Sequence, residues 1–151
     1  MAELTVFMIA KYFLSRASMT HKKLQKLCYY GQAWHCALEG KPLFAERIEA
    51  WVHGPVIPEL YREYKNYGWQ KIPQVKSDVS KLSESALEVL RAVYDTYGGF
   101  SGDQLEALTH TEAPYQEARK GLKPYEVCTK EITAGSLRDY YLKQYEASQN
   151  D

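Results

Sequence analysis

The sequence carries no net charge, its 19 lysines and arginines being matched by 19 aspartates and glutamates. Generic nucleic-acid binding is driven by neutralising phosphates and releasing their counterions, so a chain without a positive field is a poor candidate for it. Cysteine is scarce. Cys28, Cys36 and Cys128 are odd in number and not closely paired, which argues against a disulfide framework and suits free thiols in a reducing compartment. No CxxC, HExxH or comparable spacing joins these cysteines to the four histidines, so neither a metal nor another cofactor is expected. Also missing are a GxSxG elbow, a phosphate-cradling glycine loop and a local carboxylate pair, and the expectation is a protein that is not an enzyme. A hydrolase whose site is assembled only by folding is the alternative. No apolar run is long enough to span a membrane. The most apolar stretch, MAELTVFMIAKYFLSRA, is broken by Glu3, Lys11 and Arg16 and lacks the basic start of a secretion signal, so it reads as the first core helix of a cytoplasmic protein.

The 151 residues, 45% hydrophobic and 25% charged, fit one globular domain. Residues 1–147 are assigned to it and 148–151 to a frayed tail. Val6, Ile9, Ala10, Phe13 and Ala17 recur at helical spacing from Leu4 to Ala17. Thr20 is placed to cap a second helix that ends at Gly40, with Met19 and Leu24 as its hydrophobic staple and Leu24, Leu27, Cys28, Gly31, Trp34 and Leu38 as its buried stripe. ERIEAWVH alternates as a strand over 46–53, closed by His-Gly-Pro. Pro58 opens a helix carrying Leu60, Tyr61, Tyr64 and Tyr67, and a connector with a short strand around Ile72 follows. Further helices start at Ser83 or Ser85, at Ser101 with a capping box to Gln104, near Pro114, and at about Ser136. The fold class is therefore mainly α (α+β), a single helical domain with a short strand or small sheet around 46–53.

Thirteen tyrosines are the unusual abundance, and tyrosine serves both cores and interfaces. On the second helix, Lys22, Lys26, Tyr29 and Ala33 lie opposite the core stripe, flanked by Lys23 and Tyr30. Lysines in a first turn oppose the helix dipole and form a local positive end suited to an acidic partner. Two readings follow for Lys22, Lys23, Lys26, Tyr29 and Tyr30: a partner-binding face, or a solvated basic face with tyrosines packed on neighbours. Tyr61, Tyr64 and Tyr67 offer a second candidate surface. His53 and His110 sit at element ends, where a histidine typically locks a loop by hydrogen bonding. Gly54, before Pro55, is expected to need a backbone conformation that glycine reaches most easily.

MTHKKLQKLCYYGQAW, PLFAERIEAWVHGPVIPELYREYKNYG and LEALTHTEAPYQEAR together resemble the signature blocks of the Panacea domain, the SocA-like antitoxin family also described as phage-associated GepA-type proteins. The most specific parts are Lys23 to Leu27 before Tyr29 and Tyr30, the turn Trp51, His53, Gly54 and Pro55, and the pair Thr109 and His110. Tyr115 stands where tryptophan is usual, and Cys28 where an aliphatic residue is usual. The resemblance implies a mainly helical antitoxin of a type II toxin–antitoxin system that neutralises a cognate protein toxin by direct contact, without catalysing a reaction. It also implies an alternative, an adaptor delivering the toxin to a protease. From another class, the basic start of the second helix suggests a helix-turn-helix-like DNA-binding regulator, against which the zero net charge argues.

Overall fold

The computed structural model describes residues 4–150; Glu3 and Asp151, which figure in the expectations above, lie outside them. Seven α-helices and one hairpin make up the described chain: α1 (Val6–Arg16), α2 (His21–Glu39), β1 (Glu49–Trp51), β2 (Gly54–Val56), α3 (Pro58–Tyr64), α4 (Glu84–Tyr97), α5 (Gly102–His110), α6 (Ala113–Ala118) and α7 (Ala134–Gln149). A 3-10 turn, Lys65–Tyr67, prolongs α3 and stops at Gly68, whose φ is +58°. The mainly helical class and the small sheet are both as expected.

Helix starts follow their caps. The side chains of Thr5, Thr20, Ser83 and Thr133 accept hydrogen bonds from the first turns of α1, α2, α4 and α7, and Ser101 with Gln104 forms a reciprocal box on α5. α2 ends at Gly40, with φ +76° and its N–H donating to Cys36 O at 3.0 Å. Met19 and Leu24, the expected staple, are both buried. α7 continues to Gln149, taking in residues 148 and 149 of the stretch assigned to the tail.

α2 is the axis of the molecule. α1, α4, α5, α7 and the hairpin pack around it, and every position from Leu24 to Ala33 is buried. A helix buried all round has no polar face to offer solvent, which corrects two expectations. Lys26, Tyr29, Tyr30 and Ala33, expected on an outer face, lie inside. Leu38, expected in the core, is 40% exposed, on the solvent side of a last turn whose Cys36 and Ala37 are buried. At Gly31 a Cβ would sit 3.2 Å from Leu90 Cδ2, so the small residue sets the close approach of α4.

Polar residues on this enclosed helix hold the loops around it. Gln32 Nε2 donates to Phe44 O at 2.7 Å, while its Oε1 accepts from Leu43 N and Phe44 N. Gln25 exchanges two bonds with the backbone of Ile57, at 2.9 and 3.1 Å. Each glutamine thereby satisfies its own buried amide and the unpaired backbone of a connection.

The strand expected over 46–53 is shorter and belongs to a hairpin. Glu49 pairs with Val56, Ala50 with Pro55 and Trp51 with Gly54, so Gly54 and Pro55 continue the sheet rather than terminate it. Ile48 and Ala50 face the core as the alternation predicts, whereas Val52 falls in the turn. The segment after Cys128 runs along the other edge of β1, with Ala50 N donating to Lys130 O and Ile132 N to Ile48 O. A second bridge, Met19 to Ile72, is the short extended stretch expected around Ile72.

Arg119, 7% exposed, ties this layer together. Its Nη1 donates to Ala50 O at 2.9 Å, and its Nη2 reaches the carbonyls of Glu126 at 2.6 Å, Lys123 at 3.2 Å and Pro124 at 3.4 Å. The buried Ala50 carbonyl, robbed of its donor, keeps its desolvation cost, and three further bonds to the 123–126 turn are lost with it. Arg119→Met is therefore expected to lower unfolding free energy by about 3 kcal/mol in urea titrations and to speed amide exchange across residues 123–131. A loss under about 0.5 kcal/mol, typical of a surface change, would show that the segment is held by other contacts.

Candidate functional site

Lys22 and Lys26 are one helical turn apart on α2 yet meet different surroundings. Lys22 Nζ lies 2.6 Å from Asp103 Oδ1 and 2.5 Å from Glu106 Oε1 of α5. Burial disfavours its charge, but the two carboxylates outweigh that and raise its pKa above the ordinary lysine value. Glu106 Oε2 also faces His53 Nδ1 at 3.4 Å. Against its own burial, Glu106 is held ionised by Lys22 and His53. Lys23 donates to Gly98 O at 2.6 Å. The positive end expected on α2 is thus largely compensated from within, chiefly by α5.

Lys26 is 2% exposed. Among the described residues, its side chain enters no ion pair or hydrogen bond. Burial pushes its pKa down to about 7, with Lys22 adding to the depression and Glu106 opposing it. Gly54 defines where the lysine head sits: a Cβ there would lie 2.9 Å from Lys26 Cε, 3.2 Å from Nζ and 3.3 Å from Thr109 Oγ1. The backbone of Gly54 has φ +110°, as the position before Pro55 was expected to require.

The surrounding turn is fixed from α6. Tyr115 donates its hydroxyl to Trp51 O and, at 3.1 Å, to Val52 O, while the His110 ring stacks on Tyr115 with centroids 4.6 Å apart. Thr109 donates to Glu106 O at 2.7 Å, closing the end of α5. Trp51 Nε1 donates to Glu49 Oε1 at 2.8 Å, and its ring meets Tyr61 edge-on. Trp51, His53, Gly54, Pro55, Thr109 and His110 therefore form one scaffold, which closes around the Lys26 head.

Tyr29 and Tyr30 take part in a different cluster. Tyr30 stacks on Tyr97 at 4.0 Å. Its hydroxyl and that of Tyr141 both donate to Glu112 Oε1, at 2.7 and 2.8 Å. Burial raises the pKa of Glu112 against the opposing effect of the two hydroxyls. These tyrosines are core residues joining α2, α4 and α7, and the reading of them as surface anchors is corrected.

Beside the scaffold is an open cleft of about 680 Å³. It runs between the start of α2, the hairpin turn, α3 with its 3-10 extension, and the segment Val127 to Thr129. Trp51, Val52 and Val56 give it apolar walls, and Lys26 is part of its lining. Trp69 and Val127 stand at 84% and 85% exposure, large apolar surfaces left to water beside a concave site. Neither residue stood out in the sequence, because each is a lone apolar residue in a polar connector. Tyr61 lines the cleft, which places part of the second candidate surface at this site. The described residues contain no group of three His, Cys, Asp or Glu side chains in metal-holding geometry, and each of the three cysteines is free and buried.

α2 presents little of its length as a recognition helix would. Such a helix must present its side chains to a groove, and residues 24–33 of this one are enclosed. Lys22 and Lys23, the basic start on which the DNA-binding alternative rests, are half-buried and engaged with Asp103, Glu106 and Gly98 O.

The contact between Gly54 and Lys26 gives a direct test. Gly54→Ala is expected to lower unfolding free energy by about 1–3 kcal/mol through its strained φ and the added contact. The penalty should shrink in a Lys26→Ala background, where the steric part is gone. Strict additivity of the two substitutions in urea denaturation would show that the lysine head does not sit against Gly54.

Residues 24–116, more than half of the chain, match the model of the family described as antitoxin SocA-like, Panacea domain. That span includes Lys26 and the hairpin, which line the cleft, and the Thr109–His110 pair, which packs against Gly54 and Tyr115. No curated protein and no solved structure matches the chain, and no helix among the described residues is long and apolar enough to cross a membrane. The chain belongs to the SocA-like antitoxin family and carries its Panacea domain.

Proposed function

We propose that this protein is the antitoxin of a type II toxin–antitoxin pair and neutralises a cognate protein toxin by direct contact at the cleft. One observation carries the reading: two segments distant along the chain, the start of α2 and the hairpin with α3, line one concave surface, and apolar Trp69 and Val127 stand exposed at it. A rigid wall loses little freedom on binding. Exposed aromatic residues beside a pocket supply the kind of anchor that dominates interface energies. Family membership supports a toxin partner. The reading assigns the protein no reaction: Lys22, Glu106 and His53 are engaged with one another.

The test is growth rescue on co-expression with the product of the adjacent gene. Trp69→Asp and Val127→Asp should each abolish rescue and weaken the complex by about tenfold or more, with thermal stability unchanged because both side chains are solvated. Leu142→Asp, on the exposed side of α7, should leave rescue intact. Full rescue by both cleft variants at wild-type expression would move the interface elsewhere. Performing the assay in a protease-deficient host separates sequestration from adaptor activity, since direct neutralisation needs no protease.

A further inference from the structure

Resting on that reading of the cleft as a protein-contact surface, we propose that it accepts an acidic side chain presented beside a large apolar residue by a segment of the partner. The carboxylate meets the Lys26 ammonium, and the apolar neighbour packs against Trp51, Trp69 and Val127.

Charge complementarity selects this occupant. The cleft is lined by the nitrogen bases of His21, Lys22, Lys26, His53 and Lys65 and by no aspartate or glutamate. Lys22 and His53 already face Glu106. Lys26 has no such partner and is almost wholly buried, so its charge is the uncompensated one. An ammonium withdrawn from water is costly until a counter-charge joins it. The groups facing it do not provide that counter-charge: Lys22 and His21 on α2, His53 on the turn and His110 on α5 are bases, and Glu106 is engaged with Lys22 and His53. A carboxylate seated here forms a charge-assisted pair in surroundings drier than bulk water.

The occupant is small. A volume of about 680 Å³ takes two or three side chains, which fits an inserted segment better than a flat docking face. Because burial holds the pKa of Lys26 down to about 7, binding of a carboxylate draws a proton onto the amine. Affinity for an acid therefore falls as pH rises above that value, while affinity for a neutral isostere does not.

The full chain is titrated, by NMR of its tryptophan indoles, with acetyl-tryptophyl-glutamate amide, with acetyl-tryptophyl-glutamine amide, and with acetyl-glutaminyl-tryptophan bearing a free C-terminal carboxylate. At about pH 6, where Lys26 is charged, the glutamate peptide should bind about fivefold or more tighter than the glutamine peptide. Lys26→Met should erase that preference without weakening the glutamine peptide. If Lys26→Met fails to fold, wild-type protein at about pH 9 gives the same readout, because the amine is then neutral. Equal affinity of the two blocked peptides, absence of binding by either, persistence of the preference in Lys26→Met, or tighter binding of the C-terminal carboxylate would each overturn the proposal. Growth rescue is not the readout, so an acid preference can hold even if no toxin binds. Conversely, neutralisation through Trp69 and Val127 can hold with no acid preference.

Discussion

A helix enclosed on every side must find partners inside the protein for each polar side chain it carries, because water is not there to supply them. α2 carries Gln25, Lys26, Tyr30 and Gln32 through the centre of the domain, and much of the remaining architecture answers to them. The backbone between the hairpin and α3 comes to Gln25, the loop after α2 to Gln32, and Glu112 to Tyr30. Loops that would otherwise be held only by weak apolar contact are fixed by buried hydrogen bonds, which specify one arrangement strongly because their loss leaves orphaned groups.

Lys26 departs from this satisfaction, as do the buried Tyr29 hydroxyl and His21 Nδ1, but it alone among them carries an ammonium. Its neighbours position it without neutralising it: Gly54 gives it room, Tyr115 and His110 hold the turn above it, and Thr109 closes the adjacent helix end. The cost has a definite pH dependence. Below about pH 7 folded and unfolded chains both carry the proton, and the full penalty for the buried charge is present. As pH rises from there toward the ordinary lysine value, the unfolded chain holds a proton that the folded one has released, and the penalty is relieved. A protein that keeps such a group at the wall of a cleft trades stability for a site, a pattern typical of functional rather than structural charges.

Much of the fold could be read from the sequence, since caps, glycine stops and helical spacing are local signals. Thr20, Ser83, the Ser101 box and Gly40 all act where their chemistry places them. Burial was harder. Lys26, Tyr29 and Tyr30 looked like an outer face because one helix shows only which residues share a side, not how many sides its neighbours cover. The answer depends on α5 and α7 arriving from more than seventy residues away, which no local pattern encodes. His53 and Gly54 were legible as scaffold because a glycine before proline constrains the backbone directly. Glu106, Arg119, Trp69 and Val127 were not, since an acid, a base and two isolated apolar residues in helices or connectors carry no spacing signal. Glu106 could have been found as the residue one turn before the Thr109–His110 pair.

The Lys26 ammonium is buried, uncompensated and open to a cleft. NMR titration of the Lys26 side chain in the free, full-length protein measures that condition directly, through the pH dependence of its Cε and Nζ resonances. The groups around it, Lys22, His21, His53, His110 and Glu106, are followed in the same spectra. The account predicts a midpoint for Lys26 near the value of about 7 to which burial pushes it, while Lys22, held by two carboxylates, titrates above the ordinary lysine range. A Lys26 midpoint at the ordinary lysine value of about 10.4 would contradict it, since the amine would then be solvated or paired and the cleft would hold no charge awaiting a partner.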